Sequence, residues 1–314
     1  MKKFFALILA LCMVLSLCAC GDKEEAGATA GNATTGGNQS SGGNDAPATN
    51  EPPANALATV NWGKAKAYIV GAELCYEDSV IRFYIDYTNL YEYPDSAYNA
   101  VQFIVTQNGE QLEELYSDEE DGGLFDYATL SVQPNCSNRG TVAFELLDDS
   151  KVTVELYDYN EEEQSVIFEV DPKALPGKPA SEFALKGIAD PKRTEEFPES
   201  GTYRDDFEIT IGDMEVFTEG DDKIARIYYS FTNNRDEAES LYDICYMDVY
   251  QDGVELLFAY PENSVETDGN FEEEIEVGDT IEISICYLLR SDNPVEVEFY
   301  EFDDIVLGKE FPVK

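Results

Sequence analysis

The chain has 314 residues, and its 65 acidic side chains outnumber its 20 basic ones, which gives a formal net charge of −45 at pH 7. A surface this acidic repels nucleic acid and anionic lipid headgroups, so nucleic acid is excluded as a partner. The sequence contains no histidine, which excludes Ser-His-Asp and Cys-His catalysis and most zinc and haem sites. A hydrolase that uses only carboxylates, as in glycoside hydrolysis, remains open.

The N-terminal residues have the order of a bacterial export signal. A positive start, Lys2-Lys3, precedes the apolar stretch Phe4–Leu17, which is too short to span a bilayer comfortably. The following Leu-Cys-Ala-Cys resembles a bacterial lipobox. This resemblance implies cleavage before Cys20 and a diacylglycerol on its sulfur, and two acyl chains anchor a protein stably. We predict a lipoprotein signal peptide over 1–19; an ordinary secretory signal cleaved nearby is the alternative.

Residues 20–61 are predicted to be a lipidated cysteine followed by a disordered linker. The segment consists largely of Gly, Ala, Ser, Thr, Asn and Pro, and it cannot bury enough apolar surface to fold. As a flexible coil of about 40 residues it would span roughly 35 Å on average. The sequence therefore predicts a folded body tethered to the extracellular face of the cell membrane.

The rest of the chain contains an internal repeat. Three blocks recur in the same order, the first two at a shift of 144 residues and the third at a shift of 143. The pairs are SVIRFYIDYTN (79–89) with KIARIYYSFTN (223–233), VTQNGEQLEEL (105–115) with VYQDGVELLFA (249–259), and VTVELYDY (152–159) with VEVEFYEF (295–302). Such agreement indicates two copies of one domain, which we place at 62–172 and 205–314.

Both copies have the alternation of β-strands. Apolar residues occupy every second position of the first block, at Ile81, Phe83, Ile85 and Tyr87, and again at Ala225, Ile227, Tyr229 and Phe231. A period of two with one apolar face predicts half-buried strands. About seven strands without a long helix fit each copy of about 110 residues. The predicted fold class is all-β, with two tandem immunoglobulin-like antiparallel β-sandwiches.

Two turns are predicted from their residue pairs. Asn108-Gly109 and Asp252-Gly253 lie between alternating runs, and such pairs tolerate the positive φ angles of a type I′ hairpin. Residues 173–204 lack strand periodicity and are rich in Pro, Gly and Lys, so we predict an interdomain connector with a short helical turn near 181–187.

The repeated blocks resemble the immunoglobulin-like domains of unknown function found in lipoproteins of Gram-positive bacteria. Those domains carry a Thr-Asn-Asn-like strand end, a Gln-Asn-Gly-like hairpin and a Val-x-Val-x-hydrophobic strand. The first copy departs from this pattern at Leu90, where the second copy has Asn234. The resemblance implies the fold and a cell-surface setting, and it brings no catalytic residues.

Four cysteines remain in the folded part, and we expect them to be thiols. Cys245 is predicted to face the core, while Cys286 lies between inward residues and is predicted to point outward. Opposite faces argue against a bridge between these two, because a disulfide needs its Cβ atoms about 4 Å apart. A bridge between Cys75 and Cys136 stays open.

Tyrosines are the candidate ligand contacts. Tyr76, Tyr91, Tyr93 and Tyr98 lie among Asp and Glu residues around the first block. Aromatic rings beside carboxylates are one way to bind sugars, and loops at the end of a sandwich are common binding sites. The alternative is that these tyrosines simply fill half-buried positions, which suit them.

Charged residues suggest two further sites. The acidic stretches at 117–123 and 219–223 could ligate calcium, but neither has the spacing of an EF-hand, and a solvated loop is the alternative. Arg82 and Arg226 recur on the outward strand face, where they neutralise their own sheet or dock a partner. No metal site or cofactor is predicted.

We therefore expect a lipid-anchored extracellular protein that binds another macromolecule and has no catalytic activity. Its expected partners are the membrane, through the anchor, and a surface protein or a glycan. A carbohydrate-binding protein with tyrosine-lined loops is the alternative, and a carboxylate-only hydrolase is a further one. No pair among the many acids is singled out as catalytic.

Overall fold

The computed structural model describes residues 55–76, 79–115, 128–158, 164–175, 197–302 and 304–314. The predicted signal peptide, Cys20, the helical turn near 181–187 and the acidic stretch at 117–123 lie outside the described residues. Strands dominate the described part, and every pair of neighbouring strands is antiparallel. This confirms the all-β prediction.

The described residues of the first copy include nine strands, a short α-helix and a 3₁₀ turn. In chain order they are β1 (Ala58–Asn61), β2 (Ala65–Cys75), β3 (Val80–Asn89), α1 (Ala97–Ala100), β4 (Gln102–Gln107), β5 (Glu110–Gln111), β6 (Glu114–Leu115), β7 (Ser137–Glu145), β8 (Val152–Tyr157), β9 (Ser165–Val170) and a 3₁₀ turn at Pro172–Ala174. One sheet has the order β1-β2-β3-β7-β6, and the other has the order β5-β4-β8-β9.

The described residues of the second copy repeat this arrangement with eight strands. Its elements are β10 (Ser200–Tyr203), β11 (Phe207–Glu219), β12 (Asp222–Asn233), α2 (Leu241–Ile244), β13 (Tyr246–Gln251), β14 (Val254–Glu255), a 3₁₀ helix at Glu266–Glu272, β15 (Thr280–Leu288), β16 (Val295–Glu301) and β17 (Asp304–Phe311). Its sheets have the orders β10-β11-β12-β15 and β14-β13-β16-β17. Apart from β6, which has no counterpart strand among the described residues of the second copy, this is the order of the first copy, so the repeat in the sequence is also a repeat in topology.

The two sheets of each copy enclose a hydrophobic core. In the first copy, β3 contributes Ile81, Phe83 and Ile85, and β8 of the opposite sheet contributes Val152 and Val154. In the second copy, the inward residues of β12 meet those of β16 in the same way. The residues that the alternation placed inward are therefore the residues of the core.

An asparagine at the end of the central strand ties down the following loop in both copies. The Asn89 side chain donates to the carbonyl oxygens of Tyr93 and Val132 and accepts from the amide of Tyr91. Asn233 makes the three corresponding hydrogen bonds, two donated and one accepted. The Thr-Asn strand end is therefore a structural motif.

The glutamine-turn motif is also structural. The side chain of Gln107 donates to two carbonyls and accepts from two amides of residues 147–150, and Gln251 does the same with residues 290–293. Both residues of each following turn have positive φ angles, 55° and 86° in the first copy and 57° and 73° in the second. This confirms the predicted type I′ geometry.

Two strands begin inside segments that were predicted to be irregular. β1 occupies 58–61, the end of the predicted linker, and β10 occupies 200–203, the end of the predicted connector. Each is only four residues long and pairs along the edge of its sheet. Strand pairing therefore extends a few residues into these segments, because so short an edge strand shows little alternation of its own and forms by pairing with its neighbour.

The outward face of β3 is buried rather than solvated. Arg82, Tyr84, Asp86 and Thr88 are all almost inaccessible. The Asp86 carboxylate accepts two hydrogen bonds from the Arg139 guanidinium, one of them 2.7 Å from Nη2 to Oδ2, and the Thr88 and Ser137 hydroxyls are 2.9 Å apart. The prediction of a half-buried strand was therefore incomplete here, because polar side chains that pair with one another can be buried.

The two copies are joined by backbone hydrogen bonds. Val132 of the first copy and Val254 of the second form a β-bridge, and the amide of Gln133 donates to the carbonyl of Gly253 at 2.8 Å. A Cβ atom on Gly253 would lie 2.1 Å from the Cys136 sulfur. Glycine is therefore required there both by its positive φ and by the close approach of the first copy.

Candidate functional site

Both copies carry the same polar triad on the outward face of one sheet. In the first copy, the Glu73 carboxylate accepts hydrogen bonds from Arg82 Nη1 at 2.8 Å and from the Tyr84 hydroxyl at 2.5 Å. In the second copy, Glu215 accepts from Arg226 and from Tyr228 through the corresponding atoms. The recurring arginines thus form ion pairs within their own sheets.

In the second copy, Arg226 also holds a long loop segment against the sheet. Its Nε and Nη2 donate to the two carboxylate oxygens of Asp268 at 2.8 and 3.0 Å, and Nη2 also donates to the carbonyl of Asn263 at 2.8 Å. Asp268 lies in the 3₁₀ helix. We call residues 258–272 the cover segment, because this bidentate pair fixes it over β12 and β15.

Asp268 is the most highly bonded residue of the cover segment. Besides Arg226, it accepts hydrogen bonds from the Ser284 hydroxyl at 2.5 Å and from the amide of Val265 at 2.9 Å. Burial acts to raise the pKa of Asp268, but these bonds and the charge of Arg226 outweigh it, so the pKa lies below its usual value. The carboxylate is therefore ionised and fully engaged at neutral pH.

Cys286 lies under the cover segment. It projects from β15 opposite Arg226 in the strand register, outside the hydrophobic core, as predicted, yet it is only 4% exposed. Its sulfur is 3.8 Å from Asp268 Oδ1. Burial, together with the neighbouring carboxylate, raises the pKa of this thiol to about 11, so it is protonated at neutral pH.

A groove of about 620 Å³ opens between the cover segment, α2 and the edge of β15. Four aromatic side chains line it: Tyr242, Phe258, Tyr260 and Phe271. Tyr260 is 91% exposed and Tyr242 is 59% exposed, which is unusual for large side chains with so much apolar surface. Clustered exposed aromatic residues are typical of an interaction site.

The aromatic rings are held in place by neighbours. The Tyr242 and Phe271 rings meet edge to face with their centroids 5.4 Å apart, and Phe258 stacks on Tyr287 at the same distance. Tyr287 is buried in the core. Two sides of the groove are thus rigid aromatic surfaces supported by the sandwich beneath.

The charge of the groove is negative. Glu266, Asp268 and Glu272 line it, and none of the residues that the structure places along it is Lys or Arg. Asp268 is neutralised by Arg226, whereas Glu266 and Glu272 are exposed. The uncompensated charge of the groove therefore comes from two solvent-accessible glutamates.

The predicted tyrosine contacts do not gather at one end of the first sandwich. Tyr91 and Tyr93 are neighbours, with ring centroids 5.0 Å apart, but Tyr91 is only 5% exposed and belongs to the core. Tyr98 is half-buried and packs against the same core. Tyr76 lies in the β2–β3 turn, at the opposite end of β3 from the other three.

These placements leave two exposed side chains from that set. Tyr93 is 54% exposed and Tyr76 is 36% exposed. They lie beyond opposite ends of the ten-residue strand β3, a length of about 30 Å at 3.3 Å per residue. The four tyrosines therefore do not form one surface, and a ligand contact at Tyr76 or Tyr93 stays a prediction.

The acidic stretch at 219–223 forms the turn between β11 and β12. The Glu219 carboxylate accepts hydrogen bonds from the amides of Glu262 and Asn263 at 2.9 and 3.3 Å. It thus ties the cover segment to the turn. Within the described ranges, no three acidic or thiol side chains converge in a way that could hold a metal ion.

Among the residues that the structure describes, all four cysteines are thiols, so Cys75 and Cys136 are not bridged to each other. No helix within this part of the chain is both long enough and apolar enough to cross a membrane.

Sequence reasoning missed the groove. The cover segment carries three aromatic residues among acids in a stretch without strand periodicity, FAYPENSVETDGNFE. That pattern is a local signal for an exposed aromatic site. What could not be seen is the Arg226–Asp268 pair, because its partners are separated by 42 residues.

Comparison with protein-family models assigns the chain to a family. The family described as "domain of unknown function (DUF5067)" matches residues 59–158 and 189–301, one match for each repeat. The chain belongs to the DUF5067 family. The two DUF5067 matches agree with the two sandwiches, and the groove lies within the second match. A search of curated proteins found no match.

Several solved structures show a distant likeness to this DUF5067 chain. A candidate lipoprotein from Staphylococcus aureus is 19% identical over 38% of this chain and 91% of its own, with a TM-score of 0.33. The N-terminal periplasmic domain of ScsB from Proteus mirabilis is 7% identical over 83% of this chain and 99% of its own, with a TM-score of 0.24. A conserved domain protein from Bacillus anthracis is 10% identical over 83% of this chain and 91% of its own, also with a TM-score of 0.24. TM-scores this low support no conclusion about function.

Proposed function

We propose that this protein is a lipid-anchored extracellular binding protein of a Gram-positive bacterium, without catalytic activity, and that its binding site is the groove of the second repeat. Its two repeats are proposed to be sandwiches of the immunoglobulin type. The observation that carries the binding function is the groove itself: about 620 Å³, lined by exposed aromatic rings on a rigid support. Ligand pockets usually measure about 300–1,000 Å³ and combine apolar walls with a few polar groups.

The proposal of a lipid anchor is based on the sequence. The lipobox-like Leu-Cys-Ala-Cys ends the apolar stretch, and Cys20 is followed by a long polar segment. Mass spectrometry of residue 20 in the native host tests this proposal. A diacylglycerol on Cys20 supports the anchor, whereas an unmodified cysteine or cleavage elsewhere contradicts it.

The absence of catalysis is supported by the chemistry of the groove. Its one well-buried acid, Asp268, already accepts hydrogen bonds from Arg226, Ser284 and an amide. A carboxylate committed in this way is poorly placed to act as a general acid or base, which needs a group free to exchange a proton with the substrate. The other two acids of the groove, Glu266 and Glu272, are solvent-exposed and lack the burial that usually tunes a catalytic carboxylate, so the groove is better suited to holding a ligand than to transforming it.

Capture of surface components tests the groove. The mature chain, residues 20–314, is purified without lipid and exposed to cell-surface extracts at physiological salt, which suppresses non-specific charge effects. Tyr242→Ala removes one wall of the groove, and Tyr246→Ala removes a tyrosine of similar exposure, 67% against 59%, that does not line it. We expect loss of capture in the first variant only. Equal capture by both variants contradicts a binding function for the groove.

A glycan is the second candidate ligand, because sugars also stack on exposed aromatic rings such as Tyr260. A glycan array with the same two variants distinguishes this alternative. Glycan binding that depends on Tyr242 supports it, and no binding across diverse glycans removes it.

A further inference from the structure

We infer that the groove of the second repeat binds a lysine or arginine side chain presented by a polypeptide partner. This inference rests on the proposed binding function and names the chemistry of the ligand. It follows from the kinds of side chain that meet in the groove and from the charge that remains there after all internal pairs are counted.

The aromatic walls suit a cation. Tyr242 and Phe271 meet edge to face, Phe258 stacks on Tyr287 at an interplanar angle of 30°, and Tyr242, Phe258 and Phe271 all line the groove. The face of an aromatic ring attracts an ammonium or guanidinium group within about 6 Å of its centre. The same faces accept the methylene stem of a lysine or arginine, which buries readily against apolar surface.

The remaining charges point the same way. Glu266 and Glu272 lie on the 3₁₀ helix at the side of the groove and are exposed. The Arg226 guanidinium lies beneath Asp268 and is almost fully buried, with a side-chain exposure of 5%, so it neutralises Asp268 without offering charge to the groove. A cation that enters the groove therefore gains two carboxylates and meets no competing positive side chain along the lining.

The size and setting favour a polypeptide over a small amine. The volume of about 620 Å³ leaves room for the flanking backbone as well as for one side chain, and Tyr260, which is 91% exposed, extends the surface beyond the groove. Clustered tyrosines are typical of the energetic centres of protein interfaces. A chain with a formal net charge of −45 also steers basic polymers toward itself.

Short peptides test the inference directly. The probes are two blocked heptapeptides of glycine and serine, one with a central lysine and one with a central norleucine, which has a similar stem without the charge. Binding to the isotope-labelled mature chain is followed by NMR titration at 150 mM salt. We expect the lysine peptide to bind at least about tenfold more tightly than the norleucine peptide, with shifts at Tyr242 and Phe271.

Charge variants show whether the groove is responsible. The double variant Glu266→Gln/Glu272→Gln should weaken binding of the lysine peptide about tenfold. The control Glu273→Gln/Glu274→Gln changes the net charge equally at exposed positions that do not line the groove, and it should alter binding less than twofold. Circular dichroism checks that both variants keep the wild-type fold.

Three results would overturn the inference: equal binding of the lysine and norleucine peptides, no binding of either, or equal weakening by the two double variants. Glycan binding that is lost in Tyr242→Ala would also overturn it while leaving the proposed binding function intact. Conversely, if Tyr242→Ala does not affect capture from surface extracts, the proposed binding function of the groove is itself refuted. The two proposals can therefore fail separately.

Discussion

Replacing Arg226 by methionine should release the cover segment from the second sandwich. Arg226 is the residue that connects β12 to this segment, through Asp268 and the carbonyl of Asn263. Methionine has a similar length and keeps the apolar contacts of the stem, but it removes every charge-assisted hydrogen bond. The substitution leaves Asp268 and Glu215 without their cation.

The free-energy cost of Arg226→Met follows from how exposed the side chains of its two acidic partners, Glu215 and Asp268, are. The Glu215 side chain is 49% exposed, so its ion pair contributes at most about 1 kcal/mol. The Asp268 side chain is 14% exposed, and removing one partner of a buried pair costs about 3–5 kcal/mol. Because Asp268 keeps the bonds from Ser284 and Val265, we take the lower end. The expected total is about 3–4 kcal/mol, which raises the population with an open cover segment more than about 100-fold.

Thiol labelling of Cys286 measures this opening. The thiol is 4% exposed, and its pKa is raised to about 11, so it reacts only when the cover segment opens. The mature chain is treated with iodoacetamide for increasing times, and the labelled cysteine is identified by mass mapping. We expect Cys286 to be labelled at least about 100-fold faster in Arg226→Met than in the wild-type chain.

The equivalent change in the first repeat, Arg82→Met, separates local from global effects. Arg82 also pairs with a glutamate on its own sheet, but its strand partner is Ala143 instead of a cysteine. Labelling of Cys286 should stay slow in this variant. Unchanged labelling in Arg226→Met, or equally fast labelling in both variants, would refute the reasoning.

Three further results are expected. The buried hydroxyls of Tyr229 and Tyr287 interact with each other, but neither makes a hydrogen bond of normal geometry among the described residues. The double change to Phe removes both hydroxyls together, so it should leave the free energy of unfolding in urea unchanged or raise it by about 1–2 kcal/mol. Burial raises the pKa of Asp248. As the pH falls, the Asp248 carboxylate is therefore protonated at a higher pH in the folded state than in the unfolded state. Stability should therefore rise as the pH falls from 7 towards the usual pKa of Asp, and Asp248→Asn should make this dependence shallower. Asn89→Ala and Asn233→Ala should each destabilise the chain by about 2–4 kcal/mol, and to a similar degree, because each removes the same three hydrogen bonds.

Matched variants control these predictions. The Tyr203 hydroxyl donates to the carbonyl of Tyr300 and accepts from the amide of Tyr246, so Tyr203→Phe should lower stability where the Tyr229 and Tyr287 changes do not. An unchanged slope of stability against pH in Asp248→Asn would contradict the assignment of the buried acid. Very different costs for the two asparagines would contradict their structural equivalence.

Much of the fold could be predicted because its signals are local. The alternation of β3 and β12 reports which residues face the core, and the Asn-Gly and Asp-Gly pairs report a turn with positive φ angles. The repeat then ties these elements together, since the same local signals occur twice. The edge strand β1 was missed because four residues with two buried positions carry almost no signal without their partner.

By itself, the sequence determined the strands, the turns and the duplication, because each depends on residues that are close neighbours along the chain or on a comparison of the chain with itself. Tertiary structure decided that Arg226 meets Asp268 across 42 residues, that Tyr91 enters the core while Tyr93 does not, and that aromatic rings and glutamates share a groove. The physical reason is that burial and charge pairing depend on which distant segment covers a strand face, and alternation along that strand is the same whether its outer face meets water or another part of the chain.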